Sequence, residues 1–259
     1  MPRARNEEMQ QKSHLLNTLK FISENSDFAS LPSDQFKFVS RAFSKLKGAL
    51  GDDWAVDIQP LEIPILNREL ELHHPSLLIG GIIQGRREKI SWASLQICIT
   101  FTSDRDNLPS SYTEVSPEQC LNAPSCCLNQ CRNQKRIVRC FHFDFQPEET
   151  DKPDSHFQYG GKIPQNDQYM GCHYCLEPFL ENPRFHYPPM DLVLLFDLFI
   201  REFQTPLAKW TQEPYWKGLV FKSQHLYWEK YWEKLVGFIS QSQTAGRQTL
   251  HEWIYSEGK

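Results

Sequence analysis

Hydrophobic and polar positions follow two different periods along this chain, and the change from one to the other divides it into three regions. In the first fifty residues, Leu15, Leu16, Leu19 and Ile22 recur at the spacing that lines one side of a helix. Phe36, Val39, Phe43 and Leu46 repeat that spacing, with Ser33 placed to cap the start and Gly48 and Gly51 to end the helix. From residue 51 the pattern shortens. Trp54 opens a short mixed run to Ile58, and 60–74 is broken by Pro60 and Pro64, with Pro75 just beyond, so it reads as edge or irregular chain. Apolar 77–84 and the turn Gly85-Arg86-Arg87 lead into 90–102. There Leu95, Ile97, Ile99 and Phe101 alternate with Ser94, Gln96, Cys98 and Thr100, which predicts a strand buried on one face and polar on the other.

Residues 104–134 form a long insert rich in Ser, Pro, Asn and Cys, and a loop of that length needs an organising element. The clearest strand, 137–145, comes next, and its partner 156–159 follows a loop holding Pro147 and Pro153. Residues 165–187 read as loop. The helical period then returns: 188–203 is apolar on nearly every side, behind Pro188-Pro189, and Pro206 ends it. A last helix near 222–240 gathers Tyr231, Trp232, Leu235, Val236 and Ile239 on a broad stripe. Together these elements predict one α+β domain over 1–259, an antiparallel sheet of four to five strands with N-terminal and C-terminal helices packed on its apolar face. Its parts are a helical segment 1–50, a sheet region 51–187 carrying the Cys-rich insert, and a helical segment 188–259. No repeat or family signature is recognised.

Composition narrows the partners more than the chemistry. A net charge of −4 supplies no global field for nucleic acid, and Arg132–Arg139 is a short basic stretch that strand ends explain as well as phosphate contacts do. No apolar run reaches the ~20 residues that cross a bilayer, and the start lacks an apolar leader, so a cytoplasmic protein without a membrane partner is expected. Its eight cysteines then read as thiols or metal ligands rather than disulfides.

Cys127-x3-Cys131 and Cys172-x2-Cys175 have the spacing at which two thiolates grip one zinc ion. The antiparallel pairing of 137–145 with 156–159 brings the chain after Cys131 and the chain before Cys172 to one end of the sheet. A structural zinc on Cys127, Cys131, Cys172 and Cys175 would therefore order the insert, with Cys126, Cys120 or His173 as alternative ligands. Cys98 reads as a small apolar filler.

A second constellation lies on the hairpin. Phe141, Phe143 and Phe145 share one face, while Cys140, His142 and Asp144 share the other; Phe157 and Tyr159 match the first, His156 and Gln158 the second. If Asp144 faces His156, then His142 faces Gln158. Such a patch could bind metal or move protons, or it could be a polar face whose groups bond each other. Asp191 suits a helix N-terminus, and Asp197 needs a partner, Arg201 one turn on or a hairpin histidine.

Phosphate loops, nucleophile elbows and zinc-protease helices are absent from the sequence. The expectation is a non-catalytic, zinc-stabilised interaction protein, a subunit of an assembly that binds a protein partner through C-terminal aromatics (Trp210, Tyr215, Trp216, Tyr227, Trp228). The alternative is a metal-dependent hydrolase, a phosphodiesterase or nuclease, acting through His142, Asp144 and His156. Nucleic-acid binding ranks third.

Overall fold

A computed structural model describes residues 10–25, 33–49, 52–66, 74–102, 135–146, 155–159 and 184–245. Six strands form one antiparallel sheet in sequential order: β1 (Asp53–Pro64), β2 (Ser76–Arg86), β3 (Lys89–Thr102), β4 (Lys135–Phe145), β5 (Ser155–Tyr159) and β6 (Arg184–His186). Five α-helices accompany it among the described residues: α1 (Gln11–Glu24), α2 (Ser33–Lys47), α3 (Leu192–Glu202), α4 (Pro214–Ser223) and α5 (Lys230–Ala245). The α+β class and the helices at both ends agree with the periodicity. The sheet is larger than the four to five strands expected, for two local reasons. β1 runs on through Pro60, which an edge strand tolerates because one of its sides carries no ladder, and a register shift between Ile58 and Leu61 absorbs the break. β6 has three residues, too few to show an alternation, so 165–187 gave no strand signal.

The β2–β3 hairpin turns tightly at Arg87 and Glu88, with Arg87 in the left-handed region at φ 53°. Gly85 lies where a Cβ would overlap the Trp54 ring and the Lys89 carbonyl oxygen, so the turn closes only over a glycine. Val56, Ile58, Ile79, Leu95 and Ile97 point to one side, and the helices cover them. α2 packs on β1; α1 packs on α2, β3, α3 and α4. α3 is buried almost all round, as its apolar circumference predicts. It begins at Leu192 rather than at Pro188, because the Asp191 side chain caps it, accepting from the Leu194 amide at 2.9 Å.

Asp191 also joins the two ends of the chain. Its other carboxylate oxygen accepts from the Ser223 hydroxyl at 2.6 Å, and His14 Nε2 lies 2.7 Å from that hydroxyl and 3.4 Å from the carboxylate. Ser223 has one proton and gives it to Asp191, so the hydroxyl accepts from His14 and Nε2 carries the imidazole proton. All three residues are buried. A cavity of ≈ 20 Å³ beside them, lined by Thr18, Asp191 and Tyr227 among apolar side chains, has room for one water molecule.

The C-terminal aromatics divide between core and surface. Trp210 and Trp216 are fully buried and meet Phe21 of α1, and Trp216 donates from Nε1 to Asp197 at 2.8 Å. Asp197 is paired with Arg201 as well, at 2.9 Å, so the mid-helix carboxylate is satisfied one turn along and does not serve a hairpin histidine. Trp228 donates to the Pro189 carbonyl at 2.9 Å. Trp210, Trp216 and Trp228 are thus tied into the body rather than forming a partner surface. The helix expected at 222–240 is part of a longer continuous rod: α4, a π-helical turn at Gln224–Glu229, then α5, which follows directly from that turn. Among the described residues no helix is long and apolar enough to cross a membrane.

Replacing Asp191 with Ala removes a helix cap, about 1 kcal/mol, and leaves the buried Ser223 hydroxyl without its acceptor, about 1–3 kcal/mol. Denaturant unfolding should show a loss of roughly 2–4 kcal/mol from these two terms. Asp191→Asn should recover the cap and only part of the rest. A loss within the error of the measurement for Asp191→Ala would contradict the role given to this knot.

Candidate functional site: the polar face of the central strands

β4 separates two chemistries by its pleat. Phe141, Phe143 and Phe145 turn towards the helices, where Phe141 and Phe143 pack against Phe157 of β5 and Phe199 of α3, with ring centroids 5.2–6.3 Å apart. Cys140, His142 and Asp144 turn to the other side. The register aligns that side into rows across three strands. Ser94, Asp144 and His156 form one row; Gln96, His142 and Gln158 form the next; Cys98 and Cys140 face each other in a third. Asp144 therefore stands opposite His156, and His142 opposite Gln158, as the alternation implied. β6 extends the first row, its backbone pairing His186 with His156.

Hydrogen bonds run along the rows and between them. Ser94 donates its hydroxyl proton to Asp144 at 2.6 Å, and His156 Nε2 lies 3.4 Å from the other Asp144 oxygen. Gln96 Nε2 is 3.0 Å from His142 Nε2 and donates to Cys140 Sγ at 3.2 Å; Sγ is itself 3.8 Å from His142 Nε2. Gln96, His142, His156 and Gln158 are all buried, His156 to 1% exposure. A polar group taken out of water costs free energy unless it finds such partners, which explains why these residues occur together.

The electrostatics follow from the rows. Burial opposes ionisation of Asp144, but hydrogen bonds from His156 and Ser94, with the charges of His142 and His156, hold its carboxyl below the ordinary 3.8. Burial likewise pushes the Cys140 thiol up, yet hydrogen bonds from Cys98, His142 and Gln96 and the His142 charge outweigh it, bringing the thiol down to about 6. Cys98 goes the other way, raised well above 9.0 by burial first and then by Cys140.

The structure thus brings His142, Asp144 and His156 onto one face and adds Ser94, Gln96 and Cys98 to it. Those three were visible only as the polar half of an alternating strand. Cys98 is buried beside Leu78, as an apolar filler would be, and its free thiol also stands across from that of Cys140. His14 and Ser223 carried no signal, because their partnership spans 209 positions. The cavity beside Asp191 is on the helix side of the sheet, lined by Ile83, Leu95 and Phe145, and does not open onto the rows. Cys127, Cys131, Cys172 and Cys175 lie outside the described residues, as do Cys120, Cys126 and His173. Among the described residues no three His, Cys, Asp or Glu side chains are grouped to hold a metal ion. Comparison with protein-family models, with characterised proteins and with solved structures finds no match to this chain.

Asp144 makes a pH-dependent contribution to stability. Because its carboxyl ionises more readily folded than unfolded, the stabilisation is complete above the unfolded value near 3.8 and is lost as pH falls through the lower folded value. Asp144→Asn lacks it throughout. Unfolding measured across the acid range should show the difference between wild type and Asp144→Asn full at neutral pH and shrinking below the carboxyl range. A difference that does not change with pH would refute this.

Proposed function

We propose that this chain is a non-catalytic interaction protein, one subunit of a multiprotein assembly, with its long insert held by a structural zinc ion. The observation that carries the interaction reading is the surface of the C-terminal rod. Phe221, Trp232, Val236 and Ile239 are between 47% and 72% exposed, although each is large and apolar. In α5, Trp232, Val236 and Ile239 follow one another at four and three residues, so they form one stripe. Contiguous exposed apolar area of this kind marks interaction sites on soluble proteins. Exposed Glu229 and Glu233, one turn apart, run beside the stripe. They favour a protein surface with an apolar groove and a basic edge, consistent with a chain of net charge −4.

The zinc reading rests on ligand spacing and on strand direction. Phe141 pairs with Tyr159 and Gln158 with Arg184, so β5 ends and β6 begins side by side, and β4 begins in the same direction six residues further out. Cys131 precedes β4 by four positions, and Cys172 and Cys175 fall between β5 and β6. A closed four-thiolate site there would be structural rather than catalytic. The metal-dependent hydrolase is the weaker reading, because Asp144 is engaged by Ser94 and His156, and His142 by Gln96, within a buried face.

Two measurements test the proposal separately. Purified protein should hold about one zinc with Zn–S distances of ~2.3 Å by X-ray absorption; absence of metal with these thiols free to alkylation would remove the zinc. For the interaction, Trp232→Ser with Val236→Ser should leave stability within ~0.5 kcal/mol, as surface substitutions do. In native extracts wild type should sediment well above 30.4 kDa and the variant as the free chain. Equal sedimentation of the two, or self-association of the pure wild-type chain through these residues, would overturn it.

A further inference from the structure

The third row of the polar face, Cys98 opposite Cys140, has a chemistry that the interaction reading does not use. Both thiols are buried, packed with Leu78 on the face away from the helices, and register puts them directly across β3 and β4. Directly opposed residues in an antiparallel pair have β-carbons ~4.5–5.5 Å apart, and a disulfide needs ~3.5–4.5 Å, so an approach of about 1 Å closes the gap. The two sulfurs have unlike surroundings. Cys140 Sγ accepts from the Gln96 amide at 3.2 Å and has His142 Nε2 at 3.8 Å, groups that stabilise negative charge on sulfur. Cys98 has neither.

We infer that Cys98 and Cys140 form a peroxide-responsive cross-strand dithiol, in which Cys140 is the attacking sulfur and Cys98 the resolving one. Hydrogen peroxide, close to water in size, is the oxidant of this proposal, since sulfurs on residues only 3% and 4% exposed are closed to larger disulfides. The Cys140 thiolate attacks one peroxide oxygen, the O–O bond breaks, and the departing hydroxide takes the proton that the Cys140 thiol gave up on ionising, to leave as water; Cys140 becomes a sulfenic acid. Cys98 sulfur then attacks Cys140 sulfur, the S–O bond breaks, and the hydroxide released takes the Cys98 proton. In sum two thiols and one peroxide give one disulfide and two waters. The bond would staple the two central strands at the row beside Gln96 and His142.

Peptide mapping of the full, folded chain tests this. Trypsin gives peptides 90–105 and 140–162, and each holds one cysteine. After brief exposure to stoichiometric peroxide, acid quench and alkylation, the expected product is these two peptides joined, two hydrogens lighter than their sum, and separated again by dithiothreitol. In Cys98→Ser the resolving sulfur is gone, so dimedone should label Cys140 as its sulfenic acid. Recovery of both peptides alkylated from peroxide-treated wild type would overturn the inference. So would a link from Cys140 to some other cysteine, or sulfenic acid trapped at Cys98 before Cys140. The wild-type map decides the matter even if the serine variant does not fold.

Discussion

The structure depends most on a constraint at β4: a central strand whose two faces are both buried must satisfy two chemistries at once. One face meets it with rings. Phe141 and Phe143 pack against β5 and α3, and area removed from water there is the main stabilising term. The other face carries Cys140, His142 and Asp144 and has to find hydrogen bonds, because each buried polar group left without one costs about 1–3 kcal/mol. The neighbouring strands supply them at matching heights. A slip of one residue in register would turn the rings onto the polar rows and the carboxylate into the helix layer, so the two faces together specify a single pairing.

That logic explains what was legible in the sequence. The period-two alternation of 137–145 and 156–159 was enough to pair Asp144 with His156 and His142 with Gln158, and both pairings are present. Whether those groups were open or consumed was not legible, since it depends on Ser94 and Gln96 of β3, whose height against β4 is set by long-range register. The helix ends show a similar division. Asp191 could be read as suited to a helix start, but its bonds to His14 and Ser223 join residues far apart in sequence and follow no local pattern. Trp216 and Trp232 are the same residue type on one rod, yet one is enclosed against α1 and the other faces solvent. Composition carries no information about which side of a helix meets the body.

These features favour a division of labour within the chain. The sheet and the first four helices form a body tied together by two buried polar systems, the His14–Asp191–Ser223 knot on one side and the rows of β3–β5 on the other. Beyond that body α5 carries large apolar side chains, Trp232, Val236 and Ile239, that face outward. In this arrangement the imidazoles and carboxylate of the hairpin serve the fold, and the exposed apolar stripe on which the proposed interaction rests lies apart from them, on α5.

The most direct test is a double-mutant cycle on the central row. Unfolding free energies of wild type, Asp144→Asn, His156→Gln and the double variant isolate the energy shared by the two side chains. A pair that holds the sheet together should be non-additive, with coupling of roughly 0.5–3 kcal/mol. Additive losses would contradict the account, since they would mean that Asp144 and His156 do not act on stability through each other and that this face is kept for some other purpose.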